Sequence, residues 1–322
     1  MTAARSKRII MYIAMSGLAV AWGLDYVAAK KCLGTLDVPV LLFLRYCPAL
    51  CAVLAVKMFK DRKFYLHKQD VPWLILSALT GEIGYCFLEY SAIGYLPLPI
   101  ITLILACVPI VSILIEKVFY GKSITRLMIL GTTSSLLGVA IIIGADLREL
   151  FRGRFAGYLL SFGAVLCWNA YNFITAKFHE RYSDTTLSFF QIACTLLMLA
   201  PYALRHLPDP SLMTGDIIAW LLFLGIFSAG IGYIIYVRSL DILGVTPTAL
   251  FSNLMPVTTL FFSWAFFGEM ILPVQIVGGI VVILAACLVI YEKGNQDGIT
   301  SLRTPATRLI GREAEHNEYG GR

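Results

Sequence analysis

In the stretch "GEIGYCFLEYSAIGYLP", residues 81–97, two carboxylates sit among mostly apolar neighbours. Glu82 and Glu89 are seven residues apart, or two helical turns, so a helix carries both on nearly one face. Asp25 and Arg45 lie inside other apolar runs. A charge at the centre of a bilayer costs at least ~2.5–3.5 kcal/mol, so such residues are rare in spanning helices and commonly functional. The chemistry these four offer is recognition and proton exchange. Acids on one face hold a cationic amine, exchange a proton for it, or both. An arginine meets a carboxylate of the same molecule. Together they suit a zwitterion or an amine, such as an amino acid. A structural reading stands beside this one, in which Arg45 pairs with Asp25, Glu82 or Glu89 and ties helices together.

Neutral groups complete the candidate cavity. Trp22, Tyr85, Trp168 and Tyr233 offer aromatic faces to an apolar or cationic moiety, although aromatics also serve as packing and interfacial anchors. Asn169, Asn172 and Gln191 add polar groups in the second half of the chain. Arg238, Glu116 and Lys117 fall at expected helix ends, within reach of the membrane interface.

Composition dictates the elements that must position these groups. The 322 residues are 58% hydrophobic and 14% charged, and the mean hydropathy is +0.78. Soluble domains average about 45–50% apolar and about 25% charged. The apolar residues come in blocks near the ~20-residue length that crosses a bilayer, at roughly 9–29, 38–58, 71–93, 97–119, 124–144, 155–177, 185–205, 216–238, 246–267 and 271–291. The expectation is an all-α integral membrane protein with ten transmembrane helices. The first block is longer than a signal-peptide core and contains Trp22 and Asp25, so it is read as a retained helix. Residues 1–8 form a short polar N-terminus, and 292–322 are expected to be a disordered tail.

Lysines and arginines gather in alternate connections: Arg5, Lys7 and Arg8; Lys57 to Lys68; Lys117, Lys122 and Arg126; Lys177 and Arg181; Arg238. The other connections hold Lys30, Lys31, Arg148, Arg152, Arg154 and Arg205. The positive-inside rule then places both termini in the cytoplasm, with the chain in the plasma (inner) membrane. The net charge of +6 reflects this distribution, and no nucleic-acid partner is expected.

The chain also repeats itself. Residues 9–144 align with 155–291 at a nearly constant offset. Trp22 falls on Trp168, Arg45 on Gln191, Gly84-Tyr85 on Gly232-Tyr233, Pro109 on Pro256 and Gly131 on Gly278. "PIVSILIEKVFYGKSI" lies over "PVTTLFFSWAFFGEMI". Five helices per copy means that the second copy enters the membrane inverted, an arrangement secondary transporters use around a midplane site. Pro109 and Pro256 interrupt matched helices and are hinge candidates, or static bends that shape the cavity. Small residues at Gly131, Ser134, Ser135, Gly138, Gly278 and Gly279 suit close helix packing, within the bundle or at a homodimer seam.

With "WG" at 22–23, Arg45 in the second helix, the "YSAIGYLPLP" junction, the paired prolines and "FFGEMILPVQIVGG" at 266–279, the chain resembles the EamA-type transporters of the drug/metabolite transporter superfamily over 9–291. The resemblance implies a carrier that exports small metabolites, amino acids or drug-like compounds. Glu82 and Glu89 depart from that pattern, and so does Lys122, which stands where the second half has Glu269.

Other classes fare worse. No G-x-x-x-x-G-K-[ST] loop marks an ATP-driven pump, and no H-E-x-x-H or G-x-S-x-G marks an intramembrane enzyme. His67, His179, His206 and His316 are not spaced with acids as a catalytic set. The eight cysteines form no C-x-x-C and lie mostly within apolar blocks, so neither a disulfide scaffold nor a metal site is expected. No cofactor is expected either. A membrane scaffold or lipid-handling protein remains the alternative to a carrier of a small-molecule substrate, with protons as the candidate coupling ion.

Overall fold

Lacking water, the inside of a bilayer forces each backbone polar group to find a partner within its own segment, which selects helices. The computed structural model describes residues 3–96, 98–121, 124–143, 155–267, 270–289 and 291–292, and among these there are helices and no strand. Lys122, Glu269, the 145–154 connection and the tail beyond 292 lie outside the described residues.

In chain order the helices are α1 (Ala3–Leu33), α2 (Val38–Lys60), α3 (Lys68–Ala92), α4 (Leu98–Leu105 and Val108–Tyr120), α5 (Arg126–Ile143) and α6 (Phe155–Ala176). They continue as α7 (Asp184–Ala203), α8 (Gly215–Leu243), α9 (Val245–Phe267) and α10 (Pro273–Val289). Eight are long and apolar enough to cross a membrane; α5 and α10 are apolar but shorter.

Local chemistry sets the ends. Asp37 caps α2, its carboxylate accepting from the Val40 N–H at 2.9 Å, and Pro39 occupies the first turn. Ser183 caps α7 and Thr214 caps α8 in the same way. Gly244, at φ 86°, turns α8 directly into α9, a conformation that side chains with a Cβ resist. Helix α8 runs five residues past Arg238, which therefore lies inside it rather than at its end. Arg238 reaches Asp184 at 3.4 Å. Glu116, near the end of α4, is buried and accepts from the Thr246 hydroxyl at 2.9 Å.

The halves interleave. α1 packs on α8 and α9, while α6 packs on α3 and α4; α2 packs on α7 and α8, while α7 packs on α2 and α3. Large apolar side chains such as Ile13, Phe119, Leu197 and Leu284 point outward, whereas Asp25, Arg45, Glu82, Glu89 and Gln191 are buried. That distribution suits a hydrocarbon surround and a polar interior. All eight cysteines are free.

Helices α5 and α10 meet through small residues. A Cβ on Gly138 would stand 2.8 Å from Val282 Cγ2 and 2.9 Å from the Gly278 carbonyl oxygen. Gly131 likewise presses on Val289, so the small-residue face of α5 is spent within the bundle. Replacing Gly138 by Leu should force the two helices apart. The expected result is a fall of several-fold in folded protein recovered from membranes, read by fluorescence-detected size exclusion, and unchanged recovery would show the contact to be dispensable.

Helices α3 and α8 each contain a widened, π-type stretch, Leu79–Tyr85 and Phe223–Ile231, at overlapping positions of the two halves. Such stretches are rare and occur frequently at functional sites. In each, a backbone carbonyl accepts a side-chain hydrogen bond from another helix: Glu82 O from the Tyr46 hydroxyl at 3.1 Å, and Ser228 O from Trp22 Nε1 at 3.3 Å.

Candidate functional site

A buried cavity opens where α1, α2 and α3 of the first half meet α6, α8 and α9 of the second. Its wall is Trp22, Asp25, Tyr26, Arg45, Tyr85, Cys86, Glu89, Tyr90, Trp168, Tyr233, Ser252 and Met255. Its volume, about 40 Å³, admits a few water molecules.

One side is a charged cluster. Arg45 Nη2 lies 2.9 Å from Asp25 Oδ2. Tyr90 accepts from Arg45 Nη1 at 2.9 Å and donates to Asp25 Oδ1 at 3.0 Å. Ser228 accepts from Arg45 Nη2 at 3.1 Å and donates to Asp25. Four helices thus converge on one ion pair, and each charge is surrounded by partners that reduce the cost of its burial.

Glu89 is different. Its carboxylate accepts from the Tyr26 hydroxyl and from the Tyr85 hydroxyl at 3.2 Å, and among the described residues no basic side chain forms an ion pair with it. Trp168 forms the facing wall. Its ring centroid lies 4.6 Å from that of Tyr85, 5.0 Å from Tyr236 and 6.0 Å from Trp22. An acid without a cation, a guanidinium–carboxylate pair and a tiled aromatic wall together accommodate an ammonium group with an apolar body.

Seven of the sequence-chosen residues line the cavity: Trp22, Asp25, Arg45, Tyr85, Glu89, Trp168 and Tyr233. Four do not. Asn169 accepts from Ser112 at 2.6 Å, and Asn172 accepts from Tyr236 at 3.0 Å. Gln191 donates to Ser77 and Thr175, each at 2.9 Å. Glu82 is fully buried behind the cavity wall. Pro109 and Pro256 each stand at the start of a helical segment that follows a break, at Ala106–Cys107 in α4 and at the tight turn Phe251–Leu254 in α9. Their missing N–H therefore falls where a helix start leaves donors unused, and the break precedes the proline.

Sequence reasoning overlooked Tyr26, Tyr90 and Ser228. The tyrosines adjoin Asp25 and Glu89 in sequence, which is a usable signal, whereas Ser228 is a lone hydroxyl in an apolar run and announces nothing.

Away from the cavity, the Lys/Arg-rich end is clasped by charges. Asp184 on α7 takes Lys60 of α2 at 2.7 Å and Arg238 of α8 at 3.4 Å. Arg181 bonds Asp70 at 3.0 Å, and the fully buried Lys57 donates to Thr186 at 2.6 Å. The Ser183 hydroxyl, donating at 2.6 Å, and then the Lys63 backbone N–H hold the Asp61 carboxyl down at about 2, so Asp61 is ionised throughout the physiological range. At the opposite end α2 and α7 are joined by Tyr202 donating to Asp37 at 2.9 Å.

The model of the EamA-like transporter family matches residues 9–144 and again residues 155–291. The uncharacterized transporter YyaM of Bacillus subtilis is 24% identical over 284 residues, 86% of this chain and 92% of its own. A probable terminal-alkyne amino-acid exporter of Streptantibioticus cattleyicolor is 24% identical over 225 residues, 69% of this chain and 73% of its own. One solved crystal structure shares the fold, with a TM-score of 0.73 at 16% identity over 88% of this chain and 97% of that one.

Proposed function

The chain belongs to the EamA-like transporter family, and on that premise we propose that it is a secondary carrier that exports a small amine or amino-acid-like metabolite by alternating access. The carrying observation is the buried cavity between the halves, where Glu89, with no ion-pair partner among the described residues, stands beside the Asp25–Arg45 pair and the Trp168 wall. The ammonium of the cargo goes to Glu89, its carboxylate takes a share of Arg45, and its side chain lies on the aromatics. The amino-acid exporter among the relatives supports the cargo class.

The architecture proposed for this task is ten spans in two inverted five-helix repeats, with both termini in the cytoplasm. The packing pattern supports it: exchanging the halves turns α1 on α8 and α9 into α6 on α3 and α4, and α2 on α8 into α7 on α3. A cavity with room for a few water molecules leaves little space for an amine with an apolar body, so in this reading it widens to admit cargo. The breaks before Pro109 and Pro256 are the proposed hinges. In this reading the charged clasp closes the cytoplasmic side, and Tyr202–Asp37 joins α2 and α7 at the outer end.

Untargeted comparison of metabolites in cells with and without the protein tests the reading. Intracellular depletion and extracellular gain of an amine or amino acid are expected. Conversion of a metabolite to a new compound, or no redistribution of any small molecule, would replace the carrier with the enzyme or scaffold reading.

A further inference from the structure

Glu82 takes no part in the cavity wall, is 0% exposed, and among the described residues no other residue hydrogen-bonds its carboxyl oxygens. Among the described residues, the ionisable groups within electrostatic reach of it are Tyr46 from α2, Tyr171 from α6, Cys194 from α7 and Tyr233 from α8. None is a base. An unpaired carboxylate in such surroundings is costly, whereas the neutral acid is tolerated. The backbone there is also unusual, because Glu82 sits in the widened stretch of α3 and its own carbonyl is engaged by Tyr46.

A second observation is independent of the first. From Glu82 a string of fully buried polar side chains runs toward the Lys/Arg-rich end. The Tyr171 ring packs on Gly81, the residue before Glu82, Thr175 follows one turn along α6, and Gln191 bridges Thr175 to Ser77. The Tyr171 hydroxyl leans on Thr175, and Gln191 Oε1 has no partner among the described residues. Buried polar atoms in folded proteins are normally satisfied, by water where protein does not serve. The unsatisfied oxygens of Glu82 and Gln191, with the hydroxyls of Tyr171 and Thr175 between them, are where water would complete a proton file.

We propose that Glu82 is a proton-binding site distinct from the cargo cavity, reached from the Lys/Arg-rich end past Ser77, Gln191, Thr175 and Tyr171. The proton comes from water at that end, bonds to a Glu82 oxygen, and returns to water when the carrier changes face. Tyr233 lines the cavity and also lies within electrostatic reach of Glu82, which makes it the candidate link between the two. The use of the proton for coupling rests on the carrier reading; the existence of the site does not.

Infrared difference spectroscopy of the purified full-length protein in lipid, titrated across neutral pH in H₂O and in D₂O, decides the matter without any cargo. A protonated-carboxyl band that shifts in D₂O and responds to pH is expected. It should be lost in Glu82→Gln, moved but kept in Glu82→Asp, and kept in Glu89→Gln. A spectrum of Glu82→Gln identical to the parent, or a Glu82 band that neither exchanges nor titrates, overturns the proposal. The Asp variant guards against a Gln variant that fails to fold. A second arm uses vesicles containing trapped pyranine and challenged with a radiolabelled mixture of the standard amino acids. Tracer movement that continues in Glu82→Gln, with the dye signal reduced to that of empty vesicles, supports coupling through Glu82. Dye signals equal to the parent's overturn it. Failure of the carrier reading looks different: the parent moves no tracer while the Glu82 band persists.

Discussion

Replacing Glu89 by Gln is expected to lower transport of a cationic or zwitterionic amine by about 100-fold while leaving the amount of protein in the membrane unchanged. The substitution keeps the shape and an acceptor oxygen for Tyr26 and Tyr85, so the local hydrogen bonding survives. What it removes is the one negative charge in the cavity wall that no basic side chain pairs with among the described residues. Removing one partner of a buried charged contact costs about 2–5 kcal/mol, which corresponds to tens- to thousands-fold in affinity or rate. Tracer efflux from proteoliposomes measures the effect, with surface-matched vesicles controlling for abundance. The cargo's charge gives a sharper version. A neutral analogue that lacks the amine should be indifferent to the substitution, and an equal loss for both would mean that Glu89 shapes the cavity without holding an ammonium group.

Arg45→Met is the second large effect, and it should appear in stability as well as transport. The guanidinium holds Asp25 directly at 2.9 Å and also through Tyr90 and Ser228. Without it a carboxylate remains buried at the junction of α1, α2, α3 and α8. Breaking a buried pair from one side costs about 3–5 kcal/mol, whereas replacing both partners by neutral groups is often close to neutral. The double variant Arg45→Met/Asp25→Asn should therefore regain much of the stability lost by the single one, and transport should stay low in both. Unfolding in detergent, followed by tryptophan fluorescence, closes the cycle. A single variant as stable as the parent, or a double variant less stable than the single, would show that the pair is not the structural joint described above. The cycle also separates two roles that the residue type leaves open. If Arg45 serves cargo alone, the cycle shows no coupling in stability.

The site was partly legible in the residues themselves. Asp25, Arg45 and Glu89 were conspicuous because each breaks an apolar run, and a bilayer makes such breaks costly. Trp22, Trp168, Tyr85 and Tyr233 were conspicuous because they recur between the two halves. Asn169, Asn172 and Gln191 satisfied the same test of polarity within an apolar helix, yet they point to Ser112, Tyr236, Ser77 and Thr175 rather than into the cavity. Polarity reports the cost of burial but not the direction of the side chain. Direction depends on helix rotation, and the widened stretch of α3 alters that rotation between Glu82 and Glu89. Two residues placed on one face by a regular helical count therefore end in different surroundings. One lines the cavity, and the other is enclosed behind it.

By itself the sequence determined that the chain is helical and apolar enough to enter a membrane, that its halves are alike, and which side chains are too costly to be idle. Those properties follow from hydropathy, spacing and self-similarity, which are local or periodic along the chain. Only the tertiary structure decided that Arg45 chooses Asp25, that Glu89 forms no ion pair among the described residues, and that Ser228, 183 residues from Arg45, completes the pair. Partner choice among several acids depends on helix rotation and crossing, fixed by close contacts such as Gly23 of α1 against Thr258 of α9, and no pattern along one helix encodes what another presents to it.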